Sequence, residues 1–419
     1  MVGVYIASMP TIFSHVGFSR DVRLYLIASG LFGFVLFGGI YPLLYNLYML
    51  RLGYNTEFVG LANATGALFF AISCLPSGLL GGRWGSRFTM VAGICVSVVG
   101  YGLLSQAEII PDFWRDQFIL AAYSFGVMGI ALFVVNGTPY LMAITDSAER
   151  NTVFAVQAAL MPLSGFLGSM LGGVLPGYLA DVMGVSLDHP SVYRYTLFLG
   201  AVCLIPAIFA LLATKAVHIE REPEQVLDAP ALPFALIVIT SLISVFHVAG
   251  EAASRTFFNV YMDKGLNINL SLIGVQLAGA QLLAVPAALA FPFLSARFGI
   301  RRIVVVVTAA TAALLVCMAS IPNWLVAGFC FMGIMALSGL RRSAFAIFHQ
   351  ELVTVRWRTA MSGATAMMSG VGYSAMALGG GFIIPTAGYS SLFLLGAAIT
   401  GVGSFLFWIY FRTNKGEMI

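Results

Sequence analysis

Twelve long apolar runs, separated by short polar breaks, constrain this chain more than any other feature of its sequence. They are Leu24–Leu50, Phe58–Leu80, Phe88–Leu104, Phe118–Ile144, Thr152–Leu179, Tyr195–Ala213, Leu232–Met262, Leu272–Leu294, Ile303–Ile321, Trp324–Phe348, Ala360–Ile384 and Leu392–Tyr410. Each approaches or exceeds the ~20 residues with which a helix crosses ~30 Å of hydrocarbon. The third, sixth, ninth and twelfth are the shortest. A barrel would instead show weak alternating segments of about ten residues. The pattern predicts an all-α membrane protein with twelve transmembrane helices.

Composition agrees with this reading. Of 419 residues, 60% are hydrophobic and only 9% charged, against roughly 25% charged in soluble domains. Such a chain cannot solvate its own surface. A soluble enzyme, a nucleic-acid binder and a disordered regulator are excluded, and the lipid bilayer is the expected partner. The five cysteines (Cys74, Cys95, Cys203, Cys317, Cys330) lie inside apolar runs without a CxxC pair. They are expected as small buried residues, with no disulfide framework and no metal site. No basic segment precedes an apolar core at the start, so no cleaved signal peptide is expected.

Basic residues orient the runs. With the N-terminus inside, the cytoplasmic breaks hold fourteen: Arg20, Arg23, Arg83, Arg87, Arg150, Lys215, Arg221, Arg297, Arg301, Arg302, Arg356, Arg358, Arg412 and Lys415. The outer breaks hold four: Arg51, Arg115, Arg194 and Lys264. This asymmetry predicts cytoplasmic termini, in a multi-pass protein of a bacterial cytoplasmic membrane. The one sizeable polar break, 216–231, contains Glu220, Glu222, Glu224, Asp228, Pro223 and Pro230. It divides the chain into six-span halves, 1–215 and 232–419.

The halves repeat each other at a nearly fixed offset. Asn46-Leu47-Tyr48-Met49 at the end of span one recurs as Asn259-Val260-Tyr261-Met262 at the end of span seven. Val59-Gly60 recurs as Ile273-Gly274, and Arg83-Trp84-Gly85-Ser86-Arg87 as Arg297-Phe298-Gly299-Ile300-Arg301. A later match, Glu149-Arg150-Asn151-Thr152 against Arg356-Trp357-Arg358-Thr359, drifts by a few residues. Parallel six-helix halves about an axis normal to the membrane describe one transporter architecture.

At these residues the chain resembles the major facilitator superfamily. The family signature after span two, Gly-x-x-x-Asp-Arg-aromatic-Gly-x-basic, is matched from Gly78 through Arg83, Trp84, Gly85 and Arg87, and more weakly by Arg297, Gly299 and Arg301 after span eight. The stretch Asp146 to Arg150 is similar to the family's Asp-x-x-x-Arg before span five. Span five, with Gly165, Gly168, Gly172, Gly173 and Gly177, resembles the Gly-rich fifth helix of efflux members. The resemblance implies two pseudo-symmetric six-helix bundles, alternating access and a cytoplasmic gate built on these motif residues. The chain departs from the signature at its acid, which is Gly82 here and Ala296 in the second copy. Arg83 and Arg87 are left to meet Asp146 or Glu149, or to serve as positive-inside anchors.

Energy coupling is constrained by what is missing. None of the three lysines is followed by Ser or Thr, so no Walker A phosphate cradle exists. No His-Glu-x-x-His or Gly-x-Ser-x-Gly appears either. No enzyme and no cofactor are expected; a facilitator, or a carrier driven by an ion or solute gradient, is.

Ionisable residues deep in apolar runs mark function by default. Four qualify: Glu251 and Arg255 on span seven, Arg341 and Arg342 on span ten, with His247 beside them. His247, Glu251 and Arg255 share one helical face at i, i+4, i+8, so Glu251 is expected to pair with Arg255 and to accept from His247. By the resemblance, spans one, four, seven and ten line the central cavity. The helical rise separates the arginines into two tiers along it. Three arginines against one carboxylate suit an anionic or amphiphilic organic solute, which guanidinium recognises through its planar fork. Glu251, with His247, is the candidate proton carrier. Tyr41, Tyr45 and Asn46 beside Pro42, Asn136 on span four and Asn259 on span seven are further candidate contacts, each weighed against a role as interhelical glue; Gln276 and Gln281 on span eight are weighed the same way. The expectation is a monomeric secondary transporter of a small-molecule solute, with protons as candidate coupling ion. Its rivals are a multidrug efflux carrier and a non-transporting receptor or scaffold of the same fold.

Overall fold

The computed structural model describes residues 18–146, 149–216, 234–353 and 357–412. Most of the central break lies outside them, as do both chain ends. Among the described residues the chain is helical without a strand. It forms α1 (Arg20–Val35), α2 (Ile40–Arg51), α3 (Thr56–Trp84), α4 (Ser86–Ser105), α5 (Asp112–Ile144), α6 (Arg150–Met183), α7 (Pro190–Val202), α8 (Ile205–Leu212), α9 (Phe234–Val260), α10 (Leu270–Phe298), α11 (Ile300–Ser320), α12 (Trp324–Glu351) and α13 (Arg358–Phe411). Short connections reverse the direction between successive spans. The bundle therefore has an Arg20 face and an opposite Arg51 face.

Eleven described segments are long and apolar enough to cross a membrane. The pairs α1–α2 and α7–α8 each make one of them. The expected eleventh and twelfth runs fall in a single segment, Met361–Phe411. At ~1.5 Å per residue this is about twice what a bilayer needs. Gly388, with φ 81° and ψ 171°, breaks it.

The repeat extends to the helix starts. Asn55 Oδ1 caps α3 by accepting from the Phe58 amide, and Asn269 Oδ1 caps α10 by accepting from Leu272. Each supplies one acceptor that the first turn lacks. Prolines stand inside α3, α5, α6, α10 and α13, tolerated because neighbouring helices and local adjustments re-satisfy the backbone.

The most extensive packing between the chain halves is that of α3 with α13 and α6 with α10. Both crossings depend on small residues. A Cβ on Gly60 would stand 2.9 Å from the Gly381 Cα, and one on Gly274 would stand 2.8 Å from the Gly173 Cα. Backbones this close gain dispersion contact that larger side chains would prevent.

Candidate functional site

Span one does not cross as a single helix. Its backbone leaves helical geometry between Val35 and Ile40, with Gly38 at φ 82°, a conformation that a residue without Cβ adopts readily. The Ser169 hydroxyl of α6 donates to the Gly38 carbonyl. Gln281 of α10 occupies the space beside it: a Cβ on Gly38 would fall 1.8 Å from Nε2.

This break opens onto a cavity of about 570 Å³. Walls come from α1, α2, α3, α4, α5, α9, α10, α12 and α13, and they are mostly aromatic or aliphatic. Tyr45 stacks on Tyr123 at 4.1 Å, and Tyr101 meets Tyr123 edge-on at 6.2 Å. Asn46, Asn63 and Gln281 add amides, and among the described residues Arg255 is the one charged side chain on the wall.

Behind Arg255 lies a buried charge cluster. Glu251, 5% exposed, accepts 2.6 Å hydrogen bonds from Arg341 Nη2 on Oε2 and from Arg342 Nη1 on Oε1. Arg255 Nε lies 3.6 Å from Oε1 and 3.3 Å from the Met335 sulfur, with its guanidinium over the Phe37 ring at 5.9 Å. The three arginines thus converge on one carboxylate, which corrects the expected two tiers. Long side chains from α12 cover the offset in depth that the helical rise imposes. Arg341 is buried while Arg342 is about half exposed. Two positive charges remain in excess.

His247 does not join this cluster, contrary to the expected bond to Glu251. Its ring, 1% exposed, packs against Phe345 at 5.0 Å and Phe407 at 5.8 Å. Neither ring nitrogen has a hydrogen-bond partner among the described residues. Sharing a helical face aligned the Cα–Cβ bonds, and the aromatic pocket then drew the ring the other way.

The asparagines of the repeat meet each other. Asn46 Nδ2 donates to the Thr256 carbonyl at 2.6 Å and lies 3.3 Å from Asn259 Oδ1. Asn259 Nδ2 donates to the Leu43 carbonyl at 2.9 Å. Leu43 and Thr256 are themselves one repeat apart, so the contact is its own image. Asn63 reinforces it, donating to Asn46 Oδ1 at 2.8 Å. Beyond it, Arg51 binds Asp263 through Nη1 at 2.8 Å and Nη2 at 2.6 Å, with Asp188 3.0 Å from Nε. The bonds that join the halves, from Asn46 to Thr256 and Asn259, from Asn259 to Leu43 and from Arg51 to Asp263, lie on the Arg51 side of the cavity. The sequence reading left out Arg51, Asp263 and Asn63. Asp263 stood one residue past the repeated Asn-x-Tyr-Met, and that position could have drawn notice.

Other candidates have structural duties. The Tyr41 hydroxyl is 2.9 Å from the carbonyls of both Tyr101 and Leu197, although its ring lines the cavity. Asn136 donates to the Ser77 carbonyl at 3.1 Å and ties α5 to α3. Gln276 donates to the Trp324 carbonyl at 3.0 Å.

On the Arg20 face, Gly85 (φ 85°) and Gly299 (φ 77°) each form a one-residue hinge, between α3 and α4 and between α10 and α11. Arg87 donates to the Leu212 carbonyl at 3.0 Å, and Arg301 to the Phe411 carbonyl at 3.5 Å. Each closes the last carbonyls of its own half, where a cation also complements the helix dipole. Arg150 does the same for α5 through the Met142 and Thr145 carbonyls. Arg83 and Asp146 are exposed, Gly78 packs loosely near Val135, and Arg297 lies over the Phe298 ring at 5.5 Å. Among the described residues no ion pair joins Arg83 or Arg87 to Asp146 or Glu149.

The sequence profile of the Major Facilitator Superfamily matches residues 25–250 and 240–418. No curated protein matches by sequence. Among solved structures the chain is similar to a D-xylose–proton symporter, with TM-score 0.74, 10% identity, and 96% of this chain and 99% of that one covered. It is similar to the xylose transporter XylE from E. coli in an inward open conformation (0.72, 10%, 92% and 94%). It is also similar to the nucleoside transporter NupG (0.69, 15%, 94% and 99%). At such identities the shared property is the fold.

Proposed function

The chain belongs to the Major Facilitator Superfamily, and from that premise we propose that it is a secondary transporter of a small organic anion, working by alternating access. The observation that carries this reading is the cavity between the chain halves, walled by aromatics and bearing, among the described residues, a single charged side chain, Arg255. Gly388 is read as the turn between the last two of twelve spans, in two six-helix halves joined through 216–231. The Arg20 face is read as cytoplasmic, since it holds most of the basic residues, and the termini with it. The bonds among Asn46, Asn259, Arg51 and Asp263 then close the outer side, which makes this an inward-facing state. The natural setting is a bacterial cytoplasmic membrane, with the protein working as a monomer. Members with this fold include transporters described as xylose–proton, nucleoside and proton-dependent oligopeptide carriers, which is consistent with small-solute traffic.

Glu251 is the candidate proton carrier. Burial favours its neutral form and three guanidiniums favour its charged form, so a solute that draws Arg255 away changes the balance. Reconstituted protein is expected to take up organic anions along a pH gradient. Glu251→Gln is expected to abolish gradient-driven uptake while sparing solute exchange. Unchanged gradient-driven uptake in that variant would overturn the coupling. The aromatic walls also favour a second reading, a carrier of apolar compounds; flux of neutral or cationic amphiphiles but of no anion would select it.

A further inference from the structure

At the break in span one a polar side chain, Gln281, faces the cavity without a partner among the described residues. Helix α2 starts there with Gly39 as its N-cap, which has no side chain to accept from the first turn. The first turn of a helix leaves such donors unsatisfied, and twelve residues of aligned peptides place partial positive charge behind them. The preceding carbonyl is accounted for, since Ser169 donates to Gly38. Among the described residues no side chain accepts from the Ile40 or Tyr41 amide, and Tyr41 is the one of the two that lines the cavity; Pro42 has no N–H to offer.

Gln281 is the second, independent observation. It is 9% exposed, lines the cavity, lies against Gly38, and forms no hydrogen bond with any described residue. A buried amide with four hydrogen-bonding positions is costly to leave unpaired. The third is Arg255. Its Nε faces Glu251 and Met335, and its guanidinium spans the ring of Phe37, which lies within the break. Arg341 and Arg342 are each engaged at 2.6 Å by Glu251 and neither lines the cavity. Tyr45, 4% exposed and with an unpartnered hydroxyl, stands at the far side of α2's first turns and stacks on Tyr123.

Resting on the transport reading above, we propose that the break in span one is the head-group subsite, binding the carboxylate of a planar aromatic monoanion. Arg255 and the start of α2 supply the charge, and Gln281 donates from its amide. The Tyr45–Tyr123 stack receives the ring. One charged wall residue matches one anionic group, and aromatic faces favour an aromatic body over a sugar-like one.

Binding of naphthoate and of its neutral isostere naphthamide to the purified full-length chain tests this. Charge-assisted hydrogen bonds predict that wild type prefers naphthoate by about ten-fold or more. Arg255→Gln is expected to erase that preference while leaving naphthamide binding within about three-fold. Gln281→Leu is expected to weaken naphthoate by about five-fold without moving the melting temperature downward. If Arg255→Gln fails to fold, Arg255→Lys keeps the test open: the charge remains without the planar fork, and an intermediate preference is expected. A preference that survives in Arg255→Gln, or is untouched in Gln281→Leu, overturns the subsite. A wild type that binds neither probe but takes up other organic anions also overturns it and leaves the transport reading standing. Uptake of neutral or cationic solutes alone removes the anion reading as well.

Discussion

At the residue scale, Glu251 decides how the second half of the chain tolerates charge. It is a buried carboxylate held by two short guanidinium bonds, and neither side of such a pair is stable alone in an apolar setting. Removing one partner of a buried pair costs about 3–5 kcal/mol. Glu251→Ala and Arg341→Ala are each expected to lower stability by about that amount, measured by denaturation of the purified protein. The double variant is expected to lose clearly less than the two combined, because the second change removes a charge the first had stranded. Additive losses would mean that the two side chains stabilise the protein separately. Arg342, with its side chain 47% exposed, is expected to cost less than Arg341. The sequence made all four charges conspicuous, since they stood alone in long apolar runs. Their pairing was less legible. Helical spacing relates residues on one helix and says nothing about how far an arginine reaches from another, so it joins Glu251 to Arg255 and His247 and leaves Arg341 and Arg342 out. His247 was misjudged for a related reason: its surroundings come from α12 and α13.

At the scale of the element, the break between α1 and α2 is the least legible feature and the most consequential. Leu24–Leu50 reads as one uninterrupted apolar run, because hydropathy is blind to φ. Gly38 and Gly39 were visible there, but glycine is frequent in membrane helices and 45 occur in this chain. What fixes the break is tertiary, from Ser169 and Gln281. Gly38→Ala is expected to destabilise the protein, with left-handed strain alone costing about 1–3 kcal/mol. Adding Gln281→Ala relieves the clash with Nε2 and leaves φ unchanged. The double variant is therefore expected to recover only part of the lost melting temperature. Full recovery would show that crowding by Gln281, and no backbone requirement, keeps residue 38 a glycine. The other spans were legible to within a few residues at most ends, since caps such as Asn55 and Asn269 sit beside the runs they start. The last two runs read as two spans in the sequence, whereas the helix runs on through their polar gap and Gly388 interrupts it.

At the scale of the molecule, the contact of Asn46 with Asn259 and the pairing of Arg51 with Asp263 bind the two halves to each other on the Arg51 side. Loss of these bonds is expected to shift the population towards a state open on that side. Spin labels placed across the Arg51 face, one on each half, report the shift as a longer distance in pulsed electron resonance. Asn46→Ala and Asn259→Ala remove donors related by the repeat, so their shifts are expected to be similar. Markedly unequal shifts would show that the symmetry of the bonds is not a symmetry of energy. The repeat was legible in the sequence, and so was the position of both asparagines at the ends of matching spans. That they touch was not, because a repeat describes two copies and leaves the axis between them unstated. In the language of oligomers, the contact is isologous: one patch meeting its own copy, as in a twofold homodimer. Each half therefore carries a self-complementary surface along with its own helix-closing arginine, Arg87 or Arg301. Two separate chains, divided within 217–233, are then expected to find each other in the membrane without the covalent link.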